Sequence, residues 1–278
     1  MTVSQFDKYH GLGNDFIFME DFGGNLLSKG EMLAKALCHR QFGIGADGLV
    51  LITRQAGLYT MRIFNADGTE AEMCGNAIRC MAHYLLDHGL AQGPVIQIGT
   101  LSGVKEVRQA DEWYVVDMGE PDFSFSQGNS VEIVSHDVSW TAYPVSMGNP
   151  HAVVFVDDLA SLDFTTWGPR LEAAKQWPNG ANIEFTQVLS PNQIEVRVWE
   201  RGAGATLACG TGACAAAVVS SKLGLTQELT AGAIRVSLPG GVLAIHGGFD
   251  NHVFMSGPAV KVFSGSIDIS KIEKERKL

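Results

Sequence analysis

The segment RIFNADGTEAEMCG at residues 62–75 aligns without gaps with RVWERGAGATLACG at residues 197–210. The cysteines of the two copies, Cys74 and Cys209, are 209 − 74 = 135 positions apart. The same separation relates LGN at residues 12–14 to MGN at residues 147–149, and Gly89 to Gly224. Because several matches share one separation, the sequence predicts an internal duplication and two similar halves.

Each copy has the same local pattern: a strand, a Gly-containing loop, Cys-Gly and then a helix. In residues 59–64 and 193–199, β-branched and aromatic side chains alternate with other side chains, which predicts strands. Residues 75–88 and 210–223 are helix-like, and the glycine that follows each suits the left-handed position just past a helix end. The second helix is apolar nearly all round, so we expect it to be buried.

These patterns predict an α+β fold. We expect two pseudo-symmetric halves, each a curved mixed or antiparallel sheet wrapped around a central helix. The first half is predicted at residues 1–120, completed by the C-terminal segment 266–278, and carries Cys74. The second is predicted at residues 121–265 and carries Cys209.

Both duplicated cysteines are predicted at helix N-termini, where unpaired backbone N–H groups and the helix dipole favour an anion. We therefore expect a lowered thiol pKa and an available thiolate. Two such groups on either side of one carbon suit a proton transfer in which a thiolate removes a proton and a thiol returns one. Cys38, Cys80 and Cys214 lack this duplicated context and are interpreted as packing residues.

Composition excludes several other classes of protein. The 278 residues carry a formal charge of −10, which argues against nucleic acid as a partner. No apolar run approaches the length of a membrane span, and no signal peptide is recognisable. We therefore expect a cytoplasmic protein, or the mature form of an imported one, without membrane attachment. Five cysteines without a C-x-x-C pair favour reduced thiols over disulfides or a metal site.

Seven motifs in this order make the chain resemble the diaminopimelate epimerase family. They are HGLGNDF (10–16), GIGAD (43–47), FNADG (64–68), CGN (74–76), SMGNPH (146–151), ERGAG (200–204) and ACGTG (208–212). The resemblance implies interconversion of LL- and meso-2,6-diaminoheptanedioate with no cofactor and no metal, in lysine and peptidoglycan precursor biosynthesis. It implies that Cys74 and Cys209 are the two bases and that His151 and Glu200 tune their proton affinity. Whether two chains associate into a homodimer stays open.

The resemblance also implies which residues bind the diamino diacid substrate. Arg201 can bind the distant carboxylate bidentately, and asparagine amides can serve both ammonium and carboxylate groups. At two positions the chain departs from many members: Gly48 stands where some have Gln, and Ala205 where Glu is frequent. The implied substrate contacts are Asn14, Asn65, Gly75, Asn76, Asn149, Asn182, Glu200, Arg201, Gly210 and Thr211.

Other functions also fit parts of the sequence. The segment GIGADG at residues 43–48 fits the dinucleotide pattern G-x-G-x-x-G, but it follows a helix-like stretch and precedes a strand-like one, the reverse of the required order. A proline racemase or hydroxyproline epimerase would use the same proton transfer by two cysteines. A phenazine-type isomerase should lack the cysteine pair. The remaining alternatives are a thiol-disulfide switch between Cys74 and Cys209 and a purely structural or binding duplication.

Overall fold

The computed structural model describes residues 3–124, 130–247 and 252–275, with side chains described as far as residue 272. The chain forms two compact units. One comprises the chain up to Val116 and from Pro258 onward, and the other spans Asp117–Gly257. Among the described residues no helix is both long and apolar enough to cross a membrane.

Short strands dominate the structure. The helices are α1 (Gly30–Leu37), α2 (Gly75–Asp87), α3 (Phe164–Glu172), α4 (Gly210–Lys222) and α5 (Ile269–Glu275), with a 3-10 turn at Leu27–Lys29. The strands are β1 (Val3–Gly11), β2 (Asn14–Glu20), β3 (Gly48–Gln55), β4 (Leu58–Asn65), β5 (Glu70–Ala71), β6 (Val95–Thr100), β7 (Gly103–Ala110), β8 (Trp113–Asp117), β9 (Val131–Ser135), β10 (Val138–Ser146), β11 (Pro150–Phe155), β12 (Asn182–Ser190), β13 (Gln193–Glu200), β14 (Gly204–Ala205), β15 (Ile234–Leu238), β16 (Gly241–Gly247), β17 (Val253–Pro258) and β18 (Val260–Asp268).

The two units have the same strand order. In the first unit the pairing runs β18-β1-β2-β3-β4-β6-β7-β8, with parallel pairs at β2–β3 and β4–β6. In the second unit it runs β9-β10-β11-β12-β13-β15-β16-β17, with parallel pairs at β11–β12 and β13–β15. The α+β class and the duplicated mixed sheets predicted from the sequence are therefore confirmed.

Each unit has a buried central helix. Most of α2 is buried, and it packs on β1, β2, β6, β7 and β18. Helix α4 is buried over nearly its whole length and packs on β10, β11, β12, β13, β15 and β16. Its alanines let strands approach on every side, which is why the helix has no polar face.

A second helix covers the opposite face of each sheet. In the first unit Gly30 of α1 lies against the ring of Phe64, and in the second Gly168 of α3 lies against Trp199. Phe64 and Trp199 occupy matching positions of the duplicated segment. A side chain on either glycine would collide with the ring, so each outer helix needs glycine at its contact with the sheet.

The boundaries between the units differ from the sequence expectation by a few residues. The first unit ends at Val116 rather than residue 120, and the chain re-enters it at Pro258 rather than residue 266. The physical reason is β18, which pairs with β1 along its length from Val260 to Asp268 and so belongs to the first unit as a whole.

Candidate active site

Cys74 is the N-cap residue of α2. Its backbone is extended, with φ −142° and ψ 123°, so the chain turns into the helix at this residue. The thiol lies 3.8 Å from Oδ1 of Asn14, to which it can donate, and the residue is half-buried. The sequence prediction of a cysteine at the start of this helix is confirmed.

A chain of hydrogen bonds fixes the amide orientations beside Cys74. The fully buried Arg79 donates to Oδ1 of Asn76 at 2.9 Å, and Nδ2 of Asn76 donates to Oδ1 of Asn14 at 3.2 Å. Nδ2 of Asn14 in turn donates to Asp47 at 2.9 Å, and Arg40 bonds Asp47 at 2.7 Å. Since a guanidinium only donates and a carboxylate only accepts, the two ends set the direction of both amides.

Asn65 is exposed at the end of β4, where its Nδ2 donates to the Thr69 hydroxyl at 2.9 Å. It pairs with Gly48 across β3–β4. In the second unit the corresponding pair across β12–β13 is Asn182 with Glu200, one position before the pairing of Ile183 with Trp199. Because residue 48 is a glycine, the β3–β4 pair of the first unit has no side chain at the position that Asn182 occupies in the β12–β13 pair of the second unit.

Cys209 is the N-cap residue of α4 and is buried, with 7 % of its surface exposed. Its Sγ accepts a hydrogen bond from the amide of Gly212 at 3.3 Å and lies 3.5 Å from the hydroxyl of Thr211. The sulfur is thus held by the first turn of the helix, as predicted for a cysteine at a helix N-terminus.

The predicted lowering of the thiol pKa is wrong for Cys209. Burial raises the pKa of this thiol well above its ordinary value, and the nearby carboxylates of Glu200 and Glu184 raise it further. The hydrogen bonds from Thr211 and Gly212 lower the pKa but are the smaller effects. Desolvation of the thiolate therefore outweighs the helix N-terminus, and the resting form of Cys209 is the thiol.

His151 is buried between two hydrogen-bonding partners. Its Nδ1 lies 2.7 Å from Oε1 of Glu184, and its Nε2 lies 2.9 Å from Oδ1 of Asn149. The two ring nitrogens are therefore both engaged, one by a carboxyl group and one by an amide. His151 and Asn149, both named from one sequence motif, are thus brought into direct contact.

Glu200, Arg201 and Asn182 lie together where β12 begins and β13 ends. Thr206 donates to Oε1 of Glu200 at 2.5 Å, and the exposed Arg201 reaches the carbonyl of Asn179 at 3.4 Å. The amide of Asn182 is engaged by backbone at both ends, accepting from N–H of Arg201 at 2.9 Å and donating to the carbonyl of Pro150 at 3.0 Å. This arrangement places Asn182 where it orients Arg201.

The structure adds residues that sequence reasoning missed. Asp47 and Arg40 orient Asn14, Arg79 orients Asn76, and Glu184 bonds His151. Asp47 lies inside the motif at residues 43–47, and Glu184 is the one charged residue of β12 and stands between Ile183 and Phe185, a pattern that signals a partnered buried group. No sequence signal separates Arg79 from a solvated helical arginine.

The segment at residues 43–48 follows α1 and leads into β3, which begins at Gly48, so it does not open a helix as a dinucleotide-binding loop must. In the described part of the chain no three His, Cys, Asp or Glu side chains are grouped as metal ligands would be.

We expect Gly212→Ala to reduce both stability and turnover. A Cβ at this position would lie 2.9 Å from Oε1 of Glu184 and 3.3 Å from Sγ of Cys209. Relieving that overlap is expected to cost about 1–3 kcal/mol of the free energy of unfolding and to displace the sulfur. Urea denaturation and a steady-state assay measure the two effects.

The matched control is Gly232→Ala, where the added Cβ would meet only the end of the Gln227 side chain, at 3.1 Å. Equal effects of the two substitutions would contradict this account of Gly212.

The chain is similar to known proteins over most of its length. The sequence profile described as "Diaminopimelate epimerase" matches residues 6–124 and 143–262. The diaminopimelate epimerase of Moorella thermoacetica is 44% identical, over 95% of this chain and 99% of the relative. That of Pelotomaculum thermopropionicum is 46% identical, over 94% and 97%.

Solved structures share the fold at low sequence identity. A phenazine biosynthesis protein of the PhzF family from Bacillus anthracis superposes with a TM-score of 0.73 at 16% identity, covering 96% of this chain and 100% of that one. A hydroxyproline epimerase from Agrobacterium vitis, with trans-4-hydroxy-L-proline bound, gives a TM-score of 0.70 at 14% identity, covering 95% and 92%.

Proposed function

Because the chain belongs to the diaminopimelate epimerase family and epimerises LL- to meso-2,6-diaminoheptanedioate, we propose that Cys74 and Cys209 are its two acid/base groups. The observation that carries the proposal is that both cysteines are N-cap residues of matching buried helices in a duplicated fold. Packing alone gives no reason for an extended cysteine at the first turn of both helices.

In the proposed reaction one thiolate removes the α-proton and becomes a thiol. The electron pair of the C–H bond passes to the α-carbon and its carboxylate, and the other thiol returns a proton to the opposite face and becomes a thiolate. The reverse reaction exchanges these roles. No electrons are gained or lost, so the protein needs one thiol and one thiolate and no oxidant.

The α-proton is weakly acidic, so the charge that develops on the carboxylate must be stabilised. The first turns of α2 and α4, at Gly75 and Asn76 and at Gly210 and Thr211, present backbone N–H groups for this purpose. Such donors are fixed before the reaction and need no reorganisation.

The remaining site residues are assigned by their contacts. His151 and Glu200 adjust the proton affinity of the two cysteines. For Cys209 this is supported by Glu200, which raises the pKa of the thiol, and by His151, which bonds the second carboxylate that does so. The exposed Arg201 binds the distant carboxylate of the substrate. Asn14, Asn65, Asn149 and Asn182 bind or orient the ammonium and carboxylate groups.

The raised pKa of Cys209 gives the two sulfurs different starting roles. The resting Cys209 is a thiol and enters the reaction as the proton donor. In that direction Cys74 is the base. Because both groups must stay reduced, we propose that the enzyme works in the cytoplasm.

The test is incubation of the purified protein with LL-diaminopimelate in deuterated water, without added cofactor. We expect the meso isomer to form with deuterium at one α-carbon. Formation of the meso isomer with retained protium would contradict proton exchange through thiols, and deuterium exchange without the meso isomer would contradict two-sided transfer.

A further inference from the structure

Glu184 is a fully buried carboxyl group on β12. Its Oε1 bonds Nδ1 of His151 at 2.7 Å, and the backbone N–H of Ala152 makes a smaller contribution to holding the carboxylate. Its Oε2 is buried and makes no regular hydrogen bond among the described residues. Oε1 also lies against the first turn of α4, since a Cβ built on Gly212 would be 2.9 Å away. The carboxyl group therefore sits behind the turn that holds the sulfur of Cys209.

Such a group is costly for a fold to keep. A buried carboxyl oxygen without a partner forfeits its hydration, and an apolar side chain of similar size would pack at no such cost. The first unit makes this comparison directly. In the second unit Glu184 lies opposite Val153 in the parallel β11–β12 pair, and in the first unit Val50 lies opposite Phe18 in the β2–β3 pair. Glu184 therefore corresponds to Val50, and His151 corresponds to Phe16.

The first unit thus builds the same strands and the same N-cap cysteine with Phe16 and Val50 in place of His151 and Glu184. The helix position that is Gly212 in the second unit is Ala77 in the first. The fold does not require the His–Glu pair. The second unit keeps this pair next to its own N-cap cysteine in spite of the cost, which indicates a chemical role.

We propose that Glu184 is a positioning residue of the reaction, which holds His151 by Nδ1 and keeps the sulfur of Cys209 in its thiol form. This proposal rests on the role proposed above for Cys209. Glu184 touches neither the substrate nor the reacting carbon in this account; it acts through its two neighbours.

Three titratable groups face the carboxyl group from the elements around it: His151 on β11, Glu200 on β13 and Cys209 at the start of α4. Glu200 repels the ionised form of Glu184, and His151 attracts it. A negative charge on Glu184 raises the pKa of the Cys209 thiol, because it disfavours the thiolate. Removing that charge must therefore let the thiol release its proton at lower pH.

Burial raises the pKa of Glu184 to about 7 from its ordinary 4.5. The folded chain then holds a proton that the unfolded chain has released between these two values. The contribution of Glu184 to the free energy of unfolding therefore decreases as the pH rises through this interval. Ionisation of Glu184 therefore lowers the free energy of unfolding near neutral pH, the range in which the proposed role needs the charge.

The test is Glu184→Gln in the full chain, with the pH profile of kcat for LL-diaminopimelate as the main readout. We expect kcat to fall roughly tenfold or more, as when the supporting partner of a functional histidine is lost. We expect KM to stay within about twofold, since Glu184 does not bind substrate. The alkaline limb of the profile should move to lower pH by on the order of one unit.

Two further variants separate charge from shape. Glu184→Asp keeps the charge and should keep the alkaline limb at its wild-type pH even if kcat falls. Glu132→Gln removes an exposed carboxylate of the same unit that bonds Ser139 and Thr141, and it should leave kcat and the profile unchanged.

Thermal denaturation supplies a readout independent of turnover. Any advantage of wild type over Glu184→Gln in melting midpoint should shrink between pH 5 and pH 8. An E184Q protein that does not fold, or one that loses activity with an unshifted profile, would overturn the proposal, because either result assigns Glu184 a structural role. Unchanged kcat would overturn it as well. Full turnover in Cys209→Ala would instead overturn the proposed function, so the two failures are distinguishable.

Discussion

Replacement of Cys209 by alanine is expected to lower the rate of epimerisation by a factor on the order of 10³ or more, and Cys74→Ala is expected to do the same. Each change removes a group that holds or accepts the proton on one face of the α-carbon, and general acid or base catalysis contributes about 10²–10⁴ in rate. The measurement is formation of the meso isomer from the LL isomer under saturating substrate.

The chain offers closely matched controls in the same two helices. Cys80 in α2 and Cys214 in α4 are buried cysteines a short distance along each helix from the N-cap. Cys80→Ala and Cys214→Ala should leave kcat unchanged, since neither residue has a role in the proposed reaction. Turnover within tenfold of wild type in Cys74→Ala or Cys209→Ala would contradict the two-cysteine mechanism.

Replacement of Arg79 by methionine is expected to have the largest effect on stability. The arginine is fully buried, and its guanidinium donates to the carbonyls of Gly75 and Pro258 and to Oδ1 of Asn76, at 3.1, 3.3 and 2.9 Å. Methionine fills part of the space but leaves these buried acceptors without their donor. We expect a loss of about 3 kcal/mol or more in the free energy of unfolding, measured by urea denaturation.

A second consequence of Arg79→Met concerns catalysis. Without the guanidinium, Asn76 loses the contact that sets its amide direction, and its Nδ2 is no longer held towards Oδ1 of Asn14, which lies beside Cys74. Turnover should therefore fall in protein that is still folded. The control is Arg54→Met, an exposed arginine stacked on Tyr59, for which less than about 1 kcal/mol is expected. Similar losses in both variants would contradict a special role for Arg79.

The two cysteines illustrate how a duplicated fold supplies unlike groups. Both are N-cap residues in extended backbone, yet Cys74 is half-buried beside an asparagine and Cys209 is buried near two carboxylates and a histidine. Burial and charge determine proton affinity more strongly than the helix end does. Equal position in a repeat therefore does not mean equal chemistry.

Much of the fold was predictable from the sequence. The strands at residues 59–64 and 193–199 correspond to β4 and β13, and the helices predicted from Gly75 and from Gly210 correspond to α2 and α4. These predictions succeeded because alternation, helix-ending glycines and an all-apolar helix are properties of short segments. The limits of the units were less accurate, because the assignment of β18 depends on its pairing with β1, far away in the sequence.

What the sequence alone determined is the duplication, the α+β class and the position of both cysteines at helix starts, all of which follow from local patterns and one constant separation. Only the tertiary structure decided the proton affinity of Cys209, the partner of His151 and the contacts that orient Asn14. The physical reason is that desolvation and hydrogen bonding depend on which side chains meet in space. Glu184 and His151 are far apart in the sequence and become neighbours only when β11 and β12 pair.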